Sequence, residues 1–136
     1  MNAQDAGLAD AQADTQERKA REVPAFDATE FGALSEMIGI DGVHEIVEIF
    51  ESETRQRLRR LMAGGQNIAT LMREMHTLKG AAATVGSPRL MVLAQTLERA
   101  AQRGVAPTQD HIKAIDSLLE AFLAAVRTWN EAQGTG

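Results

Sequence analysis

No cysteine occurs among the 136 residues. That excludes disulfides, thiolate zinc sites and cysteine nucleophiles. A cysteine-free chain suits a reducing compartment, so the cytoplasm is the expected location. Aromatic residues are scarce, with four Phe and one Trp. Strands favour aromatic and β-branched residues, so a β-sandwich fits poorly. No apolar run approaches the roughly 20 residues of a membrane span. The opening MNAQDAGLADAQAD has neither the basic flank nor the apolar stretch of a signal peptide. An excess of positive charge is also missing. Lys and Arg number 14 against 19 Asp and Glu, a formal net charge of −5. Nothing in that balance suggests the cationic face that nucleic-acid binding usually requires.

What the chain does contain is Ala, Leu, Glu, Arg and Gln, which are helix formers. Its length and apolar fraction of 44% suit one globular domain with a real core. Residues 1–24 carry little apolar surface to offset the entropy of ordering, so a flexible tail is expected there. The domain is expected over 25–133. Asp27 with Glu30 resembles a helix cap with its reciprocal partner, opening a short helix to about Met37 with Phe31, Leu34 and Ile38 on its apolar stripe. Gly39 breaks it, and Asp41 caps a second helix over about 42–63, with Val43, Ile46, Val47, Phe50, Thr54, Leu58 and Leu61 on one face. Asn67 caps a third, in which Ile68, Leu71, Met75, Leu78, Ala82 and Val85 step by 3, 4, 3, 4 and 3. The hydroxyl of Ser87 followed by Pro88 marks a fourth start, lined by Leu90, Leu93, Ala94, Leu97 and Ala101. Pro107-Thr108 opens a fifth, with Ile112, Ile115, Leu119, Phe122, Val126 and Trp129 on its face. Four long amphipathic helices joined by short turns favour antiparallel neighbours. The expected fold is all-α, an up-and-down antiparallel four-helix bundle with a short additional N-terminal helix, and a monomer is expected.

The three histidines differ in their surroundings. His44 and His111 each lie in a first helical turn beside a carboxylate and read as solvated positions without a special role. No two histidines are spaced i, i+4, so a zinc or di-iron site is disfavoured. His76 follows the core residue Met75 and is therefore turned about 100° from the core, towards water. Lys79 and Gly80, three and four residues on, share its face, and Ala83 extends that strip. Gly80 lies where the core periodicity still runs, and glycine inside a helix costs about 1 kcal/mol relative to alanine. Such a glycine suits a spot that something must approach closely. A neutral imidazole can attack an acyl phosphate. Its unperturbed pKa of about 6.5 leaves it mostly neutral at pH 7. Lys79 can compensate the charge of an arriving phosphoryl group. The competing reading is a surface histidine, a solvated lysine and a glycine that ends the helix.

The stretch His76-Thr77-Leu78-Lys79-Gly80-Ala81-Ala82-Ala83-Thr84-Val85-Gly86 closely resembles the signature of histidine phosphotransfer (HPt) domains. The similarity continues through Leu90, Ala94, Leu97 and Glu98, and Phe50 resembles a recurrent family position. Position 94 is Ala where many members have Cys, which leaves the mechanism untouched. The resemblance implies a phosphorelay carrier that takes a phosphoryl group on histidine from the aspartyl phosphate of a receiver domain and passes it to another receiver. It implies His76 as phosphoacceptor through Nε2, Lys79 steadying the phosphoryl oxygens and Gly80 giving the partner room. Glu98 stands where the family often places Gln or Glu against the accepting ring, to hold Nδ1–H. An ordinary surface glutamate is the alternative there. Phosphoryl transfer normally uses a divalent metal. With no acidic cluster near His76, Mg²⁺ is expected to arrive with the receiver, and no intrinsic cofactor is expected. No Gly-rich nucleotide loop is present, so autonomous kinase activity is not expected. Two other readings stay open: a helical interaction module without phosphoryl chemistry, and the phosphoacceptor domain of a chemotaxis-type kinase.

Overall fold

The computed structural model describes residues 23–134. The tail expected over 1–24 lies outside the described residues as far as position 22. The described residues form four α-helices and no strand: α1 Ala28–Ala63, α2 Ile68–Val85, α3 Pro88–Gln102 and α4 Gln109–Ala132. Each helix packs on its neighbours in chain order, and α4 closes against α1. Cross-helix contacts fix the directions. His44 meets Asn130 while Arg55 meets Glu120, so α1 and α4 run antiparallel. Asp27 meets Gly86 while Arg60 meets Glu74, so α1 and α2 do too.

The first two expected segments run together as the two limbs of α1, with the break between them at Gly39. The helix is interrupted by a kink at Gly39, whose φ of 82° and ψ of 164° leave the helical region, and it resumes in a second limb that ends at Ala63. A residue with a Cβ resists that positive φ, so glycine allows the bend. Asp41 follows two residues after the kink, at the start of the second limb of α1. The kink also turns Ile38 out of the expected stripe, leaving it 41% exposed. Asp27 does cap α1, its side chain accepting from Glu30 N–H at 3.1 Å. The expected reciprocal bond from Glu30 is displaced, because Asp27 N–H donates to Gly86 O at 2.9 Å.

That bond belongs to a lacing of the N-terminal stretch onto the α2–α3 turn. Arg89 donates from its backbone N–H to Pro24 O and from Nε to Val23 O. Ser87 Oγ donates to Ala25 O at 3.3 Å and makes no side-chain cap on α3, contrary to the sequence expectation. Gly86 ends α2 at φ 79°, and a Cβ there would press on Asp27 O at 3.3 Å. Asn67 and Thr108 cap α2 and α4 as expected, accepting from Thr70 N–H and His111 N–H.

The core takes Phe50, Leu58, Met75, Leu78, Leu90, Leu97, Ile115, Leu119 and Phe122 from all four helices. The most extensive helix contact is between α2 and α3, and Ala82 of α2 and Ala94 and Ala101 of α3 are buried. Sequence periodicity did not find Arg57, which is buried with its Nε 3.6 Å from Glu74. Arg60 binds the same carboxylate through two bonds of 3.0 Å. The N-terminal limb of α1 joins the core through Phe31, fully buried and edge-on to Phe26 and Trp129. Removing that ring should cost about 3–5 kcal/mol. Urea melts of Phe31→Ala should show a loss of that order, and a loss below about 1 kcal/mol would mean the limb does not support the bundle.

Candidate functional site

His76 stands on the exposed face of α2, its side chain 69% exposed. Met75 and Leu78 on either side are fully buried, so the helix pitch holds the ring outward. Glu98 reaches it from α3. Its residue is only 7% exposed, at a position flanked by the core residue Leu97. Glu98 Oε2 lies 2.6 Å from His76 Nδ1, and Lys79 Nζ donates to Glu98 Oε1 at 2.6 Å. One carboxylate therefore spans a ring and an ammonium that sit one turn apart on the facing helix. The close α2–α3 seam is what makes this reach possible.

The Lys79 hydrogen bond, with a further contribution from His76, holds the Glu98 carboxyl below its ordinary range despite its burial. The carboxylate is thus ionised near neutral pH and has no hydrogen to give. The bond to His76 then requires the proton on Nδ1, and in the neutral ring that leaves a lone pair on Nε2. An ordinary surface glutamate at position 98 is excluded by its burial and its two partners.

Gly80 sits one turn beyond His76 within α2. It keeps a negative φ, unlike Gly86, which is the glycine that ends the helix. A Cβ built on Gly80 meets no atom within 4 Å. The helix-ending alternative for Gly80 is therefore overturned. With Ala83 and Thr84, also exposed, it forms a low strip beside the ring. On the other side of His76 lies a groove of about 450 Å³ lined by Met72, Arg73, His76, Thr77, Glu98 and Gln102. The sequence reading did not single out Met72, Arg73 or Gln102. Helical spacing carries the signal, since the first two precede His76 by four and three residues and Gln102 follows Glu98 by four.

The structure brings His76, Lys79 and Glu98 together and leaves Gly80 open. Lys79 is not the solvated lysine of the competing reading, since its ammonium is engaged by Glu98. The other histidines are occupied elsewhere. His44 Nε2 lies 3.1 Å from Asn130 Oδ1, and His111 Nδ1 accepts from Thr108 N–H in a reciprocal cap. Among the described residues, no group of three His, Asp or Glu side chains could hold a metal ion, and no helix is long and apolar enough to cross a membrane.

The depressed Glu98 pKa has a consequence for stability. Its contribution is fully present above the ordinary carboxylate range and is lost as pH falls through the lower, folded-state value. The stability advantage of the native chain over Glu98→Gln should therefore be full at neutral pH and vanish in acid. Denaturant melts across that range check it; an advantage that grows on acidification would contradict the ionised clamp.

Comparison with known families matches residues 45–129, from the second limb of α1 into α4, to the Hpt domain. No curated protein and no solved structure matches the chain. The matched span contains the whole His76, Lys79, Gly80 and Glu98 constellation. Hpt domains are histidine phosphocarriers of phosphorelays that work with receiver domains, and are generally not enzymes themselves. By this match over more than half its length, the chain belongs to the Hpt domain family.

Proposed function

We propose that this protein is an intermediate carrier between two receiver domains, in the cytoplasm, with Nε2 of His76 as the phosphoacceptor. The observation that carries this reading is the 2.6 Å bond between His76 Nδ1 and the buried Glu98 carboxylate. It keeps the Nε2 lone pair directed outward, on a ring with 69% of its surface open. That lone pair attacks the phosphorus of an aspartyl phosphate. The N–P bond forms as the P–O bond to the aspartyl carboxyl breaks, and the electron pair departs with the carboxylate. The ring takes on positive charge, and Glu98 stabilises it through the Nδ1–H it already holds. Lys79 lies one turn away, where its ammonium can turn from Glu98 towards the phosphoryl oxygens. Gly80, with Ala83 and Thr84 beyond it, leaves the strip low enough for a folded partner to descend onto the ring.

Among the described residues no group of three His, Asp or Glu side chains could hold a cation, so the metal that phosphoryl transfer uses is proposed to come with the receiver. The sequence has no Gly-rich nucleotide loop, and the protein is proposed to be a carrier without kinase activity of its own.

Incubation with a phosphorylated receiver and a divalent cation should place acid-labile, base-stable label on the protein. His76→Gln should abolish the label with helicity intact, and label persisting in that variant would overturn the assignment. ATP and magnesium alone should give no label.

Gly80 allows a separate test. Gly80→Ala should raise stability by up to about 1 kcal/mol through helix propensity, since its methyl meets open space. Gly80→Gln should leave folding near neutral and slow transfer sharply, because displacement by about 1 Å can cost 100-fold. Thermal melts and transfer rates on both variants check this. A fully active Gly80→Gln would contradict docking along the strip.

A further inference from the structure

The clamp on His76 has a second consequence once a phosphoryl group is on the ring. Before attack the neutral imidazole carries one hydrogen, on Nδ1. Attack through Nε2 adds the phosphoryl group and removes nothing, so the ring becomes a phosphoimidazolium. It becomes neutral only by losing the Nδ1 hydrogen, which leaves a lone pair at Nδ1. That lone pair would face Glu98 Oε2 across 2.6 Å.

A carboxylate and an amide answer this differently. A glutamine side chain can rotate and present either its carbonyl oxygen or its NH₂, so it serves both the protonated and the deprotonated ring. An ionised carboxylate only accepts. It keeps a charge-assisted bond to the protonated ring and opposes the deprotonated ring, lone pair against lone pair. Glu98 has little freedom to avoid this choice, because it is only 7% exposed and reaches the ring from α3. The charged groups around the ring are few. Glu98 approaches from α3, and Lys79 and Arg73 from α2, while Met72, Thr77 and Gln102 in the same groove are neutral. No residue of α1 or α4 lines the groove. Lys79 and Arg73 disfavour a cationic ring, but the phosphoryl group adds negative charge beside it, and Lys79 has an anionic partner whether it stays on Glu98 or turns to the phosphoryl oxygens.

We propose that Glu98 keeps phosphorylated His76 protonated at Nδ1 through neutral pH, so that the carrier holds its phosphoryl group in the form that leaves readily. This deepens the carrier reading and rests on phosphorylation of His76 at Nε2. When the P–N bond breaks, its electron pair returns to Nε2 and the ring departs as neutral imidazole, still bonded through Nδ1–H to Glu98. The phosphoryl group passes to a receiver carboxylate, or to water, which then gives up a proton to solvent. A deprotonated ring would have to leave as an imidazolate anion, a much poorer leaving group. Glu98 is thus a positioning residue that sets the lability of the phosphohistidine.

Phosphoramidate tests this without any receiver, since it transfers a phosphoryl group to histidine and releases ammonia. The protein, labelled with ¹⁵N in its histidine rings, is phosphorylated, freed of reagent and titrated by NMR. Nδ1 of phosphorylated His76 should titrate about 1–3 pH units above free Nε2-phosphohistidine. Glu98→Gln should bring the midpoint back towards the free value and slow hydrolysis at alkaline pH. Coincident midpoints for the native phosphoprotein and free phosphohistidine would overturn this proposal alone. Phosphorylation that spares His76 would overturn the phosphoacceptor assignment, and this proposal with it.

Discussion

A carboxylate buried to more than nine-tenths needs compensation for the water it has lost, and at Glu98 the compensation comes from one ammonium and one imidazole. The rest of the site follows from that requirement. Because the Lys79 bond keeps Glu98 ionised, the ring must donate through Nδ1. Because Nδ1 donates, Nε2 is left with its lone pair facing solvent. A single charge pair thus gives the proposed acceptor both its tautomer and its orientation, with no fourth group needed to direct it.

The bundle exists, for this purpose, to hold two helices at the spacing the clamp demands. Glu98 reaches across from α3 where that helix makes its extensive contact with α2. The stretch at residues 23–27, laced to the turn through Arg89, Ser87 and Gly86, fixes how that pair of helices is joined. Fully buried Met75 and Leu78 set the rotation of α2 about its axis, and hence the outward direction of His76 between them.

Much of this was legible in the sequence because helical periodicity repeats. Six apolar residues stepping by threes and fours define each of two helical faces, and a histidine, lysine and glycine on the outer face of one of them mark the site. The kink was less legible. The break at Gly39 could be read from the glycine, but that the two limbs run on across it as one kinked element is seen only in the backbone. Competition for hydrogen bonds was also hidden. Asp27 N–H went to Gly86 O and Ser87 Oγ to Ala25 O, partners 59 and 62 residues away in sequence, so local capping rules missed them. Arg57 is buried through its approach to Glu74 across the α1–α2 seam, a contact that no single-helix pattern encodes. Glu98 could be placed beside the ring by resemblance alone. Its second bond, to Lys79, was visible only in three dimensions, and it is this bond that keeps the carboxylate ionised.

The central claim is that the unphosphorylated ring already has its nucleophilic nitrogen free. Nitrogen-15 NMR of the three histidines, assigned with His76→Gln and recorded at a pH where the ring is neutral, measures this directly. The account predicts that His76 carries its hydrogen on Nδ1, with the shift of an unprotonated nitrogen at Nε2. A hydrogen found on Nε2 would contradict it.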